Sequence, residues 1–262
     1  MKKILSDFIV SENIHLNDHY ILLKLTTEAP LPDMLPGQFV EVRIDNTPEV
    51  MLRRPISINF VDKANNMLWL LIHLIGKGTF HLGTLRQGDK LNLLFPLGNS
   101  FSLPDSGTAP HDKPFLLVGG GAGIAPMLLL GQLLAERGYR PTFLLGARNK
   151  EDLFELEQFA SYGDVCLSTE DGSLGEKGFV TQHSVLEKQT FARIYSCGPK
   201  PMMMAVARYA KFHGIECEVS LENKMACGLG ACLCCVEDTK EGNQCVCKEG
   251  PVFNINQLKW QI

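Results

Sequence analysis

Six of the nine cysteines (Cys227, Cys232, Cys234, Cys235, Cys245 and Cys247) fall inside one 21-residue stretch near the C-terminus, and only Cys166, Cys197 and Cys217 are scattered. So short and cysteine-dense a segment cannot stand on a hydrophobic core of its own, and a bound metal centre would replace the missing core. In a small secreted protein the pattern would mean disulfides. Here a long chain precedes the cluster, and clustered cysteines then point to metal ligands. Cys227, Cys232 and Cys235 are spaced C-x4-C-x2-C, the spacing of plant-type [2Fe–2S] ferredoxins. Gly228 and Gly230 allow a tight loop whose amides can face the sulfurs. A fourth ligand has two downstream candidates, Cys245 and Cys247, while Cys234 inside the x2 gap reads as a bystander. Structural zinc is the alternative, although its ligands usually come as well-separated C-x2–4-C pairs.

The rest of the chain is long enough for two further domains. It has 262 residues, 45% of them hydrophobic, which suits globular units with real cores. A net charge of −4 leaves no basic footprint for nucleic acid. The N-terminal MKKILSDFIVSE is interrupted by Asp7 and lacks the apolar run of a secretory signal. Pro114 to Ala135 carries no charge, but its five glycines and Pro126 read as a buried strand, a turn and a helix rather than a membrane span. A cytoplasmic protein is expected.

Residues 1–103 carry strand signals. Gln38 to Asp45 alternates, with Val40, Val42 and Ile44 on one face and Glu41 and Arg43 on the other; Ile56 to Val61, Met67 to Ile75 and Lys90 to Phe95 follow. Short strands without long helices predict an antiparallel β-barrel. The polar segment 104–113 reads as a linker. Beyond it, strands at Phe115, Thr142, Val165, Ile194 and Glu218 alternate with helices, one opened by Pro126, one capped by Asn149 and running to Phe159, and others near Phe179 and Pro201. That alternation predicts a doubly wound α/β domain with a parallel sheet over 104–217. The multi-domain chain then ends in a small module at 218–262.

Gly119, Gly120, Gly121, Ala122 and Gly123 connect the first of these strands to its helix. Bare amides at a helix N-terminus favour a pyrophosphate; Pro126 replaces the third glycine of the usual dinucleotide fingerprint. Tight strand–helix packing would explain the same glycines. After the third strand, Glu170 and Asp171 would repel a 2′-phosphate and favour NAD over NADP, unless they only face water. In the barrel, Arg53, Arg54, Pro55, Ile56 and Ser57 open a strand, and Gly76-Lys77-Gly78-Thr79 offers a second turn. An arginine there could grip a phosphate with two hydrogen bonds.

Taken together, these residues resemble the electron-transfer subunits of type B dihydroorotate dehydrogenase, a branch of the ferredoxin reductase superfamily. The likeness covers essentially the whole chain: MLPGQFVEV, LRRPISI, GKGT and FPLGNSF; VGGGAGIAPM, DGSLGEKGFVT and YSCGPKPMM; SLENKMACGLGACLCCV and VCKEGPVF. It implies FAD contacts from Arg54, Pro55, Ile56 and Ser57, from Leu71, Ile72 and His73, and from Gly78 and Thr79. It implies cluster ligation by Cys227, Cys232, Cys235 and Cys247, the last because it precedes the GPVF segment. It further implies an oxidoreductase subunit with no acid–base catalytic residue, passing electrons to NAD through FAD and a [2Fe–2S] cluster in pyrimidine biosynthesis. The partner would be an FMN-containing catalytic subunit that oxidises dihydroorotate, in a heterotetramer of two of each, without membrane or nucleic acid. Other readings are a ferredoxin- or sulfide-linked NAD(P)H oxidoreductase subunit, a zinc-stabilised flavin reductase and a non-enzymatic iron–sulfur sensor.

Overall fold

The computed structural model describes residues 2–105 and 112–262. The linker expected at 104–113 lies mostly outside the described residues.

The N-terminal strands are β1 (Ile4–His15), β2 (Tyr20–Thr26), β3 (Phe39–Val42), β4 (Arg54–Ser57), β5 (Phe60–Asp62), β6 (Met67–His73) and, after the short helix α1 (Lys77–Gly83), β7 (Lys90–Leu97). They form an antiparallel sheet in the order β4-β3-β7-β1-β2-β6-β5. Its two edge strands are separated in sequence only by Ile58 and Asn59. The Ile58 N–H donates to Gln38 O and the Asn59 N–H to Trp69 O, both at 3.0 Å. The chain thus steps from one edge of the sheet to the other and curls it into a barrel. Period-2 alternation sends Leu23 and Leu25 of β2 and Leu68 and Leu70 of β6 inward, all fully buried. β3 departs from simple alternation, because Glu41 on its outer face is also fully buried. The C-terminal module covers it there.

The second sheet comprises β8 (Phe115–Gly120), β9 (Thr142–Ala147), β10 (Asp164–Thr169), β11 (Glu176–Lys177), β12 (Arg193–Cys197) and β13 (Glu216–Ser220). With β16 (Val252–Asn254) its order is β11-β10-β9-β8-β12-β13-β16, and every pair is parallel except the last. The apolar run 114–135 divides, as expected, into β8 and α2 (Ala125–Glu136). α2 carries proline in its first turn and is followed by Gly138 at φ 84°. Asn149 does cap a helix, but only the 3₁₀ turn Lys150–Asp152, by accepting the Glu151 N–H. The α-helix of this region is α3 (Leu156–Tyr162), which starts after Glu155 in a left-handed conformation. Near Phe179 there is a 3₁₀ turn and the one-turn α4 (Val185–Lys188) rather than a long helix, whereas α5 (Lys200–Phe212) begins where Pro201 places it. Among the described residues no helix is long and apolar enough to cross a membrane.

The C-terminal segment adds a hairpin, β14 (Val236–Thr239) with β15 (Gly242–Cys245), and then β16 (Val252–Asn254). β16 pairs with β13, so the last segment completes the nucleotide-domain sheet. β13 itself runs through residues 217 and 218. On the barrel side, Asn99 holds the same segment: its Nδ2 donates to Glu249 O and Val252 O at 2.8 Å, and its Oδ1 accepts the Val252 N–H at 2.9 Å.

α2 and β9 pack closely because Gly131 has no side chain; a Cβ there would overlap the ring of the buried Phe143. G131A is expected to keep the fold while losing roughly 1–3 kcal/mol of stability from overpacking. Chemical denaturation should show a lower midpoint with an unchanged slope.

Candidate functional site

Two cavities adjoin at the junction of the barrel and the parallel sheet. The first, about 550 Å³, is walled by β4, by the end of β6 and by the turn before α1. Arg54, Pro55, Ile56 and Ser57 all line it, each only half-buried. The two neighbouring arginines divide their work. Arg54 faces the cavity, whereas Arg53 turns away and donates to Glu41 O, Asn92 O and Asn92 Oδ1. Gly78 lies under the Arg54 stem, where a Cβ would come within 2.8 Å of Arg54 Nε. Thr79 also lines the cavity, but its Oγ1 accepts the N–H groups of Ile75 and Gly76 and so holds the turn.

On β6, Leu71 and His73 face the cavity, and Ile72 between them points into the barrel core. His73 stacks on Tyr20, with ring centroids 4.5 Å apart and planes 6° from parallel. Burial, and secondarily the neighbouring His19, push the His73 pKa below the usual imidazole value, which favours a neutral ring. Tyr20 was not singled out in the sequence. Its role follows from pairing with His73 across strands, which no local motif reports.

The second cavity, about 640 Å³, lies over the carboxyl ends of β8, β9, β10 and β12. These strands flank the point where the chain, having run outward from β8 to β10, crosses back to β12. In open α/β sheets ligands bind at such a switch point. Gly120, Gly121, Ala122 and Gly123 line it, facing Gly146, Gly198 and Met202. Gly119 does not; it packs beneath, where a Cβ would come 2.9 Å from Ile124 Cα. Gly123 admits the β12 turn, since a Cβ would overlap the Cys197 carbonyl. At the rim the two acids separate: Glu170 lines the cavity beside Arg148, whereas Asp171 accepts the Ser173 N–H and hydroxyl.

His73, Ala122 and Glu222 belong to both cavities. Glu222 opens into the shared space yet is ringed by protein, and this burial holds its carboxyl above the usual carboxylate range. From Glu222 the chain continues along the first cavity through Asn223, Lys224 and Met225 and two residues later reaches Cys227. These residues sit in SLENKM, a motif legible in the sequence, but nothing there marked them as a cavity wall.

The cysteine loop is tightly turned and directs N–H groups at sulfur. Gly228 and Gly230 adopt φ 66° and 81°. The Leu229 N–H donates to Cys227 Sγ at 3.3 Å, the Gly230 N–H to Cys247 Sγ at 3.1 Å, and the Cys247 N–H to Cys235 Sγ at 3.4 Å. Burial raises the Cys227 thiol pKa, but N–H groups of Leu229, Cys232 and Ala231 outweigh it and bring the value to about 6. Cys232 helps to lower the Cys227 pKa, whereas burial first, and then Cys235, raise that of Cys247. Cys245 differs: its sulfur faces the Gly230 carbonyl at 4.0 Å. Cys234 is exposed.

Comparison with known proteins agrees with this arrangement. Residues 222–259 match the iron–sulfur cluster binding domain of dihydroorotate dehydrogenase B, and residues 117–208 match the oxidoreductase NAD-binding domain. The chain is 35% identical to the dihydroorotate dehydrogenase B (NAD(+)) electron transfer subunit of Fusobacterium nucleatum, over 97% of this chain and 98% of that one. It is 40% identical to the protein of the same name from Listeria monocytogenes, over 95% and 97%. The chain belongs to this family of electron transfer subunits. As a member it is an oxidoreductase component with an NAD-binding and an iron–sulfur domain. The fold matches the solved NADH-dependent reduced ferredoxin-NADP oxidoreductase at a TM-score of 0.84 and 25% identity, covering 97% of this subunit and 90% of that chain. A ferredoxin NADP+ reductase from Neisseria gonorrhoeae shares the fold at a TM-score of 0.66 and 17% identity, over 80% of this subunit and 92% of that chain.

The tightest constraint in the second cavity is Gly123, where a Cβ would come within 2.3 Å of the Cys197 carbonyl oxygen. G123A is expected to cost about 1–3 kcal/mol of local packing and to weaken NADH binding about tenfold, read as a raised Kd by fluorescence titration.

Proposed function

We propose that the first cavity holds FAD, the second holds NAD, and Cys227, Cys232, Cys235 and Cys247 hold a [2Fe–2S] cluster. The subunit would then pass electrons from an FMN-containing, dihydroorotate-oxidising partner to NAD+ in pyrimidine biosynthesis, in a cytoplasmic heterotetramer of two of each. The observation that carries this reading is continuity. The two cavities share His73, Ala122 and Glu222, and the strand end forming the second half of the first cavity leads within a few residues to the cysteine loop.

A bound flavin supplies the conversion between hydride and single-electron transfer, which neither a nicotinamide nor an iron–sulfur centre can perform alone. The protein's part is positioning. Arg54 is placed for a phosphate, and the neutral His73, propped by Tyr20, forms the wall between the cavities. Gly120 to Gly123 bring bare backbone to the dinucleotide, and Glu170 disfavours a 2′-phosphate. Amides from Leu229, Gly230 and Cys247 support anionic sulfur. Cys247 is favoured as the fourth ligand because its sulfur accepts an N–H while that of Cys245 faces a carbonyl. No acid–base catalytic residue is required. Leu229 and Leu233, 43% and 63% exposed on the cysteine loop, mark the face for the partner.

Anaerobic purification with flavin, iron and acid-labile sulfide analysis tests the assignment. One FAD with two iron and two sulfide is expected per chain, and a zinc-loaded, iron-free protein would refute it. C247S should lose the cluster absorbance and EPR signal, whereas C245S should retain both; the reverse outcome would exchange the two residues.

A further inference from the structure

Glu155 and Asn59 meet where the nucleotide domain rests on the barrel, outside both cavities. Asn59 is fully buried in the two-residue step that closes the barrel between β4 and β5. Glu155 immediately precedes α3, with φ 56° and ψ 26°. Asn59 Nδ2 donates to Glu155 Oε1 at 2.9 Å. The other two head-group atoms, Asn59 Oδ1 and Glu155 Oε2, are both shut off from solvent and both without a partner. If Glu155 is ionised, these are two buried acceptors with nothing donating to them, an arrangement folded proteins avoid. A carboxylic acid and a carboxamide have planar heads that can each turn one donor and one acceptor towards the other. A single proton on Oε2 would therefore satisfy both orphans at once.

We propose that Glu155 is protonated in the folded subunit and closes a two-hydrogen-bond ring with Asn59, a proton-held latch between the barrel and the nucleotide domain. Burial supports it, pushing the Glu155 carboxyl up to about 7 against the opposing effects of the Asn59 bond and the Lys24 charge. The ionisable groups around the joint leave the proton in place. Lys24 on β2 pairs with Glu12 at 3.1 Å and lies over the Trp69 ring at 4.5 Å. Asp152, at the end of the 3₁₀ turn before Glu155, accepts from Asn17 Nδ2 at 3.0 Å. Tyr162, at the far end of α3, has its pKa raised by burial and stays neutral.

The sign of the pH effect follows. The folded pKa lies above the unfolded value of 4.5, so the latch contributes fully below about pH 4.5. Its contribution declines as the unfolded chain loses the proton and is gone above about pH 7. The joint lies between the domain that carries the dinucleotide cavity and the barrel that carries most of the other, so the proton sets how firmly the two are held in register. This does not depend on which cofactors fill them.

The test is thermal unfolding of the holo-subunit between pH 5.5 and 8.5 for wild type, E155Q and E155A, with infrared spectra of wild type and E155Q. E155Q supplies an N–H in place of the O–H and cannot titrate. Wild type should lose roughly 5 °C more in Tm than E155Q across this range, and E155A should be destabilised at pH 5.5 relative to both. Wild type at pH 5.5 should show the carbonyl stretch of a hydrogen-bonded carboxylic acid, absent at pH 8.5 and absent in E155Q at either pH. Parallel pH profiles for wild type and E155Q, or no acid band removed by E155Q, would overturn the proposal. If E155A does not fold, the comparison of wild type with E155Q still decides.

Discussion

Asn99 uses its whole side-chain amide, and its backbone N–H, on the C-terminal segment. Besides the three side-chain bonds, its N–H donates to Gly250 O at 2.6 Å. Just before it, Gly98 adopts φ 77°, and a Cβ there would come within 2.5 Å of Pro251 Cδ. On the other side, Gly37 lies against Val252, where a Cβ would approach to 2.7 Å. A saturated asparagine between two close backbone approaches leaves the cysteine-bearing segment one way to sit on the barrel. Because β16 is also a strand of the parallel sheet, the same contact fixes barrel, sheet and cysteine loop relative to one another. Cavities made from parts of all three can have a defined shape only on that condition.

Within this frame the polar groups are distributed by what they must hold. Arg53 is engaged with Glu41 and Asn92 and Thr79 with its own turn, whereas Arg54 faces the cavity while its Nη1 donates to Leu52 O and Arg53 O. The scattered Cys197 and Cys217 are fully buried, and burial drives both thiols upward in pKa. They are packing residues. Cys227, in contrast, has its thiolate favoured by a set of amides. Donors around the sulfur do not by themselves separate these cysteines, because Cys247 accepts the Gly230 N–H and is still pushed up to about 12, chiefly by burial.

The sequence displayed the site better than the scaffold. C-x4-C-x2-C and the glycine turn are local patterns whose chemistry needs that spacing, and the glycine turn lines a cavity in the structure. The missed elements depend on distant partners. β1 is 12 residues long but carries a register shift between Val10 and Glu12, which breaks the alternation that would have marked it. Glu41 read as a solvent-facing residue of an amphipathic strand, and it is buried because a loop nearly two hundred positions away covers it. Asn149 is a good helix cap, but Glu155 at positive φ interrupts the chain before the longer helix can form. Ile72 followed its neighbours in the motif while the pleat turned it to the opposite face.

The C-terminal placement of β16 has a temporal meaning. During synthesis the outer edge of β13 stays bare until residues 252–254 have emerged, by which point every cysteine of the loop has already been made. An uncovered strand edge is a site for mispairing with other chains, and domains tend to fold in the order they leave the ribosome. Sealing that edge therefore comes after the whole cysteine loop has been made, and a nascent protein truncated between residues 247 and 252 has all the cysteines but a bare β13 edge.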